Sequence, residues 1–453
     1  MIRSLLVANR GEIARRVIRT AGRLGIRTVA VHSPHDAQLP FVREADEAVA
    51  LAGNTPAESY GNADAVLAAA RATGVEAVHP GYGFLSENAD FAHRVLAAGL
   101  TWVGPSPEVI ALMGDKRNAR DQAVAVGVPV APGTSEPLAD EGAAVQAART
   151  VGYPLMVKAA AGGGGMGMAV ARDEVELRAQ YRAVVAFASR LFGDPGVLLE
   201  RYYHRARHIE VQILGGADGE VLALGERNCS VQRRHQKLVE ESPSPALDAA
   251  LRTRMLTAAV TLGRAVGYRG AGTVECLVHG PPGQQDFVFL EMNTRLQVEH
   301  PVTEAVFGVD LVEEQLRAAS GLAPTPGLGS RTPVGHAIEF RVNAEDPVRF
   351  LPGPGRVTRW REPVGEGIRV DAGYAEGDTV TPAYDSLMAK LVVHAGTRAE
   401  ALAVAAGALA EFVVVGPRST LPFHQDLLGR SEFARGTYDT GIVTQMRAGD
   451  PRR

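Results

Sequence analysis

The stretch from Gly272 to His300 restricts the fold of this chain more than any other. Gly272 to His279 (GTVECLVH) and Asp286 to Leu290 (DFVFL) are rich in β-branched and aromatic residues, and the turn-forming GPPGQQ separates them. That pattern predicts a β-hairpin. Pairing centred near Gly283 sets Glu275 across from Glu291, with a bulge able to shift the register by one residue. Like charges directly opposite on a sheet face repel, so the pair points to a cation between them. Mg²⁺ is the natural candidate, because it takes hard oxygen ligands and is held by one or two carboxylates together with substrate phosphates. A solvated polar sheet face would show the same pattern. Continued in extended form, EMNTRLQVEH puts Glu291, Asn293, Arg295, Gln297 and Glu299 on one polar face.

Composition narrows the classes. A chain of 453 residues is long enough for about two to four domains. The 47 basic and 51 acidic residues leave a net charge of −4, which gives no polyanion-binding signature and argues against nucleic acid as a partner. Two cysteines, Cys229 and Cys276, exclude a disulfide framework and a four-cysteine zinc site, and fit a reducing compartment. No run approaches the roughly 18 apolar residues of a membrane span, so a cytoplasmic protein without a membrane partner is expected.

Strand and helix candidates alternate over the first hundred residues: Ile2 to Ala8, Glu12 to Leu24, Thr28 to Val31, Asn62 to Ala72, Val75 to Val78, Glu87 to Ala98 and Thr101 to Val103. That order predicts a parallel sheet with crossover helices. The first turn lacks GxGxxG, which disfavours a nicotinamide cofactor. His79 to Asn88 (HPGYGFLSEN) is a glycine-dense loop after a strand, placed either for a ligand at the carboxyl edge of the sheet or as a plain tight loop.

Beyond Lys116, a helix to about Val126 precedes VPVAPGTSEP, whose prolines and glycine read as a hinge. Strands YPLMVK and MAVAR flank Gly162 to Gly165, a run that suits either a linker or a hairpin lid donating N–H groups to phosphates. Arg207 to Leu214 alternates, with His208, Glu210 and Gln212 on one side. Arg233, Arg234, His235 and Lys237 form a basic cluster that is either a solvated charge run or an anion site. TEAVFGVDLVEEQLRAASG reads as one continuous helix, and His336 to Asn343 alternates again with Arg341 on its polar side.

Taken together, HPGYGFLSEN, GDK, the glycine run, ERNCSVQRRHQK, YRGAGTVE, EMNTRLQVEHPVTE and EFRVNAED closely resemble biotin carboxylase, the ATP-grasp component of carboxylases such as acetyl-CoA carboxylase of fatty acid biosynthesis. The resemblance runs from about Ile2 to past Lys390. It implies an α/β fold with a Rossmann-like N-terminal domain (1–113), a central ATP-grasp domain (114–330) with a mobile glycine-rich lid near 130–203, an α+β C-terminal domain (331–445) and a polar tail (446–453). The activity implied is ATP-dependent activation of bicarbonate as carboxyphosphate, followed by carboxylation of biotin on a carrier protein.

The resemblance also assigns residues. Glu275, Glu291 and Asn293 would hold Mg²⁺ or Mn²⁺; Lys116, Lys158, Gly163, Gly164, Gly165, Glu200, His208, Gln232 and His235 would seat ATP. Lys237, Arg295, Gln297 and the Val298 backbone would take bicarbonate. Glu299 would be the base, Arg341 would stabilise charge on biotin, and Tyr82 would line the biotin side. The chain has no Met-Lys dipeptide, which the resemblance marks as the biotin-acceptor signature, and no further domain is expected after residue 453. Biotin is therefore expected on a separate biotin carboxyl carrier protein, with a carboxyltransferase subunit selecting the final acceptor and a homodimer as the assembly. Other readings of the residues are a catalytically impaired paralogue and an ATP-grasp ligase for another acid.

Three positions depart from the family pattern: Met166 and Ala169 stand where basic residues are usual around the lid, and Arg201 replaces a lysine. A cation restored beside the glycine run adds a charge-assisted contact to phosphate. Met166→Arg is therefore expected to tighten ATP binding, measured by titration calorimetry; unchanged or weaker affinity would show that the departure is silent.

Overall fold

The computed structural model describes residues 1–160 and 167–448. Its N-terminal part is a five-stranded parallel sheet, order β3-β2-β1-β4-β5, built from β1 (Ser4–Val7), β2 (Arg27–His32), β3 (Glu47–Ala50), β4 (Ala77–His79) and β5 (Thr101–Trp102). Its central strand is wholly buried, as SLLV demands of a parallel strand covered on both faces. Helix α1 (Gly11–Arg23) lays Ile13, Ala14, Val17, Ile18 and Ala21 on that sheet. The helix begins at Gly11, whose φ of +64° brings the chain sharply off β1.

The strands flanking the glycine run, β6 (Leu155–Ala159) and β7 (Met168–Ala171), pair as an antiparallel hairpin, and β8 (Val197–Arg201) joins them in a sheet of order β7-β6-β8. With helices Glu141–Val151 and Glu174–Phe192 this sheet has an apolar core of its own. The expected hinge touches both neighbours: Val130 bridges to Phe289 and Gly133 to Glu200.

The largest element is an eight-stranded antiparallel sheet. It runs through β9 (Arg207–Gly215), β10 (Val221–Arg233), β11 (Gln236–Ser242), β12 (Gly270–His279) and β13 (Asp286–Asn293), then continues with β14 (His336–Asn343). Four short strands follow, β15 (Gly355–Arg356) and β16 (Arg359–Arg361) with β18 (Thr379–Val380) and β20 (Val413–Val415), making two small ladders. The large sheet is completed by β17 (Ile368–Ala372) and β19 (Leu387–Ala395), giving the order β13-β12-β9-β10-β11-β14-β19-β17. Pairing of β11 with β14 carries the sheet across the Pro/Gly connector at 323–333, so strands from both sides share one hydrogen-bonded surface. The largest apolar core likewise joins Leu5 and Val17, Val239 and Leu311, and Phe340 and Leu391.

Two local expectations are corrected. The continuous helix after Thr303 is two helices, His300–Phe307 and Leu311–Ala319. Gly308 takes the left-handed C-cap at φ +61°, and Asp310 starts the second helix by accepting from the Glu313 amide. The extended polar row from Glu291 to Glu299 stops at Asn293, the last residue of β13. The next amide, Thr294, donates to the Glu87 carboxylate at 3.2 Å rather than to a strand partner, and the chain turns there.

Packing behind the hairpin is tight. Tyr268 is buried, its hydroxyl donates to the Ala271 carbonyl at 3.0 Å, and a methyl at Gly272 would overlap its ring. Overpacking a well-filled core costs about 1–3 kcal/mol. Gly272→Ala is expected to lower unfolding stability by that amount, read as a lowered urea midpoint with unchanged slope.

Candidate active site

The register of three strands builds the site. Glu275 on β12 lies opposite Glu291 on β13 and opposite Glu210 on β9, and Glu210 lies opposite Arg227 on β10. The bulge after Glu275 in the β12–β13 ladder is what brings Glu291 across from it. Three carboxylates thus stand side by side on one face, with a cation at the end of the row. Uncompensated, such a row would repel itself apart.

Two cations compensate it from within. Arg227 is fully buried; it donates to Glu210 at 2.6 Å, to Gln212 at 2.6 Å, to Gln297 at 2.9 Å and to Thr273 and Thr303. Lys237 reaches over from β11, its side chain only 11 % exposed. Its ammonium donates to Glu210 at 2.6 Å, to Glu275 at 2.8 Å and to Glu299 at 2.6 Å. Three carboxylates thereby share one ammonium.

Glu299 is the most strongly held of these acids. It precedes the helix His300–Phe307, and its second oxygen accepts from Arg341 at 3.0 Å. Burial alone would raise its pKa, but Lys237, Arg341 and Arg227 outweigh that and hold the carboxyl well below the usual carboxylate range. Glu275 is depressed in the same way against its burial, by Lys237 and His208. One of its oxygens accepts from Lys237, Asn293 and Gln297, at 2.8–2.9 Å. His208 Nε2 lies 3.1 Å from the other.

Glu291 behaves oppositely. Its side chain keeps solvent-exposed surface, yet protein walls in much of its surroundings. That walling, then the charge of Glu275, raises its pKa, while Lys116, His208 and Lys237 partly offset the rise. Two opposed hard-oxygen donors, one pushed up by the other, are a pair that a divalent cation between them would relieve. The residues fit Mg²⁺ on that ground.

Three comparisons with known proteins bear on this geometry. Models of the biotin carboxylase N-terminal domain, the carbamoyl-phosphate synthase L chain ATP-binding domain and the biotin carboxylase C-terminal domain match residues 1–110, 115–324 and 339–445. A biotin carboxylase of Halalkalibacterium halodurans is 48 % identical over 445 residues, covering 98 % of both chains. The chain belongs to the biotin carboxylase family. Among solved structures, a Campylobacter jejuni biotin carboxylase in a β,γ-ATP complex superposes with TM-score 0.94 at 41 % identity, covering 98 % of this chain and 99 % of that one. The biotin carboxylase domain dimer of Hydrogenobacter thermophilus 2-oxoglutarate carboxylase, with MgADP, ADP and bicarbonate, superposes at 0.93 with 41 % identity over 98 % of each.

In this biotin carboxylase fold, Glu275, Asn293, Gln297, Glu299, Lys237, His208 and Arg341 converge on one cluster. Arg295 sits at its edge, donating to Glu87 at 2.9 Å and to Asn293 at 3.1 Å. Gln232 is buried with its amide 3.5 Å from the His208 ring, and His235 occupies the exposed two-residue turn Arg234–His235, where both residues have positive φ. Lys158 pairs closely with Glu200 across the β6–β8 sheet, and Arg120 lies 3.9 Å from the same carboxylate. Lys116 opens the helix Lys116–Ala125 and is exposed. Tyr82 points its hydroxyl to Glu12. Arg201 donates to the Val151 carbonyl at 3.3 Å, and Ala169 packs against the core of the β7-β6-β8 sheet. Gly163, Gly164, Gly165 and Met166 lie outside the described residues.

Four contributors escaped sequence reasoning: Arg227, Glu240, Glu87 and Lys390. Arg227 carries the row of acids, Glu240 accepts from Arg341 at 2.7 Å, Glu87 turns the chain at Thr294, and Lys390 donates to the Val298 carbonyl at 2.9 Å. The alternation His208/Glu210/Gln212 was a usable signal for Glu210. Nothing local marked the other four.

Removing the shared ammonium reverses the charge balance. In Lys237→Met burial is no longer offset by the ammonium, and the folded pKa values of Glu275 and Glu299 are expected to rise above the unfolded value near 4.3. The folded variant then binds more protons than the unfolded chain, so its stability falls as pH climbs through that window. In the parent, Glu275 and Glu299 are depressed, and the stability they contribute is lost only as pH falls below about 4.3. The stability gap between Lys237→Met and the parent is expected to widen from pH 5 to pH 8, reaching about 3–5 kcal/mol in urea unfolding. A gap independent of pH would contradict the shared-ammonium arrangement.

Proposed function

We propose that this chain uses ATP and bicarbonate to carboxylate biotin borne on a carrier protein, by way of carboxyphosphate, in the first half-reaction of a biotin-dependent carboxylase. The observation that carries this is Glu299: a buried carboxylate, held ionised between Lys237 and Arg341, one turn from the opposed pair Glu275 and Glu291. Bicarbonate is a poor electrophile, and joining it to a phosphoryl group requires both a base and neutralised phosphate charge.

Arg295, Gln297 and the Val298 N–H are assigned to the planar anion, for which a guanidinium gives charge-assisted bonds. Glu299 takes its proton. A carboxylate gripped by two cations is a weak base, and an anion that accepts from Lys237 draws the ammonium away and makes Glu299 more basic. Glu275 and Glu291, with Asn293, are assigned to Mg²⁺ or Mn²⁺, which when bound supplies neutralisation of the nucleotide phosphates. Lys116, Lys158, Glu200, His208, Gln232, His235 and the glycine run 163–165 are assigned to ATP. Arg341 stabilises negative charge on the ureido oxygen as biotin loses its proton, with Tyr82 on that side of the site.

The division into 1–113, 114–330 and 331–445 follows the same reading, with catalysis where the three parts meet. The partners are a biotin carboxyl carrier protein, a carboxyltransferase subunit and a second copy of the chain, in the cytoplasm. The final acceptor is set by the transferase: the similar Hydrogenobacter domain serves a 2-oxoglutarate carboxylase. No helix among the described residues is long and apolar enough to cross a membrane.

Purified protein with Mg²⁺ is expected to cleave ATP in a bicarbonate-dependent manner, stimulated by free biotin. Glu299→Gln should lower turnover by about 10²–10⁴, the usual worth of a general base, while nucleotide affinity stays within about twofold. Phosphate release indifferent to bicarbonate would sink the proposal, and equal loss of nucleotide binding would remove Glu299 from the role of base.

A further inference from the structure

Lys390 is fully buried in β19, yet its ammonium belongs to no apolar packing scheme; a methionine would fill the same space without the desolvation cost of a charge. Three parts of the molecule converge on it. It donates to the Val298 carbonyl at 2.9 Å, lies 3.1 Å from the Glu12 carboxylate at the start of α1, and lies 3.8 Å from Asp371 on β17. Each partner is itself fixed. Glu12 accepts from the Tyr82 hydroxyl, and its backbone packs so closely against Gly373 that a Cβ there would come within 2.7 Å of the Glu12 nitrogen. Asp371 sits opposite Lys390 in the β17–β19 ladder and accepts two bonds from Arg369 at 2.9 and 2.7 Å.

The main chain of the turn that Lys390 grips is held from within by local contacts. His300 N donates to Gln297 O at 3.3 Å and Val302 N to Glu299 O at 3.4 Å, both long, the His300 ring nitrogen Nδ1 lies 2.7 Å from the same Gln297 carbonyl, and Arg295 donates to the Leu296 carbonyl at 3.3 Å. From outside, the described residues supply its main chain with the Glu87 contact to Thr294 at 3.2 Å and the shorter bond from Lys390. Register makes the second bond specific. Lys390 lies directly opposite Arg341 in the β14–β19 ladder. One cross-strand pair therefore holds two successive residues, Arg341 the carboxylate of Glu299 and Lys390 the carbonyl of Val298.

We infer that Lys390 is a positioning residue for carboxylation: by fixing the Val298 carbonyl against Glu12 and Asp371, it sets the direction of the Val298 N–H and the Glu299 side chain toward bicarbonate. The inference rests on the assignment of Glu299 as base and Val298 as an anion donor. It gives the N-terminal and C-terminal parts a share in the geometry of a site whose reacting groups belong mainly to the central part.

The test is Lys390→Met, read by steady-state kinetics, MgATP titration and amide hydrogen exchange. Misplacing a catalytic group by about 1 Å costs on the order of 10²-fold in rate. Turnover in bicarbonate-dependent ATP cleavage is expected to fall about 10- to 100-fold and the bicarbonate KM to rise several-fold. MgATP affinity should stay within about twofold, and exchange across 294–300 should quicken about tenfold or more while the 270–293 hairpin is unchanged. Glu12→Gln keeps the ammonium and its carbonyl bond but removes one anchor, and should shift the same readouts in the same direction by a few-fold; it carries the test if Lys390→Met does not fold. Unchanged exchange at 294–300 in the folded variants, or a loss of MgATP affinity equal to the loss of turnover, would overturn the inference. A parent protein without bicarbonate-dependent cleavage would overturn the proposed function instead, and the exchange readout would still report on Lys390.

Discussion

One ammonium, that of Lys237, allows the central sheet to exist in its observed register. Glu291, Glu275 and Glu210 occupy adjacent positions on three neighbouring strands, an order that electrostatics forbids unless positive charge is placed among them. Arg227 neutralises the row at one end from inside the sheet, and Lys237 reaches Glu210, Glu275 and Glu299 together. Buried ions of this kind do not stabilise a fold cheaply, since each must be stripped of water. Their value lies in specificity: a one-residue slip of β12 would carry Glu275 to the other face and leave Lys237 facing apolar side chains.

The continuity of the eight-stranded sheet explains how distant segments reach one site. Strands β9 to β13 supply the acids, and β14, paired directly to β11, supplies Arg341. The β11–β14 ladder fixes Glu240 relative to Arg341, and the Arg341 guanidinium ties Glu299, outside the sheet, to both strands. Strands β6 and β7, by contrast, lie in a separate three-stranded sheet with its own apolar core, and segment 128–137 bridges to both sheets. The eight-stranded sheet thus carries Glu210, Glu275, Lys237 and Arg341, and Lys158 with its partner Glu200 sits on the three-stranded one.

Much of this was legible in the sequence because it depends on short-range pattern. Alternation of strands and helices gave the parallel N-terminal sheet, and the turn GPPGQQ between two β-rich runs gave the hairpin and the opposition of Glu275 to Glu291. The polar row beyond Asn293 was read wrongly because extended backbone needs a strand partner, and here a carboxylate two hundred residues away takes the next amide. The αL cap at Gly308 splits what periodicity alone joined. Arg227, Glu240 and Lys390 were invisible for one reason: each sits in an ordinary strand pattern, and its meaning comes from long-range register.

That register also grades the protonation of the site. Glu275 and Glu299, nearest Lys237, are held ionised against their burial. Farther along the sheet, Glu240 lies opposite Glu339, and burial raises both, the charge of Glu299 adding to the rise of Glu240 and that of Glu240 to the rise of Glu339: Glu240 is pushed up to about 7 despite Arg341, and Glu339 well above the usual range despite Lys390. Arg341 thus faces one carboxylate held well below the usual range and one raised above it. Two full negative charges would have cancelled its field in a low-dielectric setting. With the Glu240 carboxyl raised toward its neutral form, Arg341 holds Glu299 in place and keeps positive charge to present to a developing oxyanion, consistent with the role proposed for it toward the ureido oxygen of biotin.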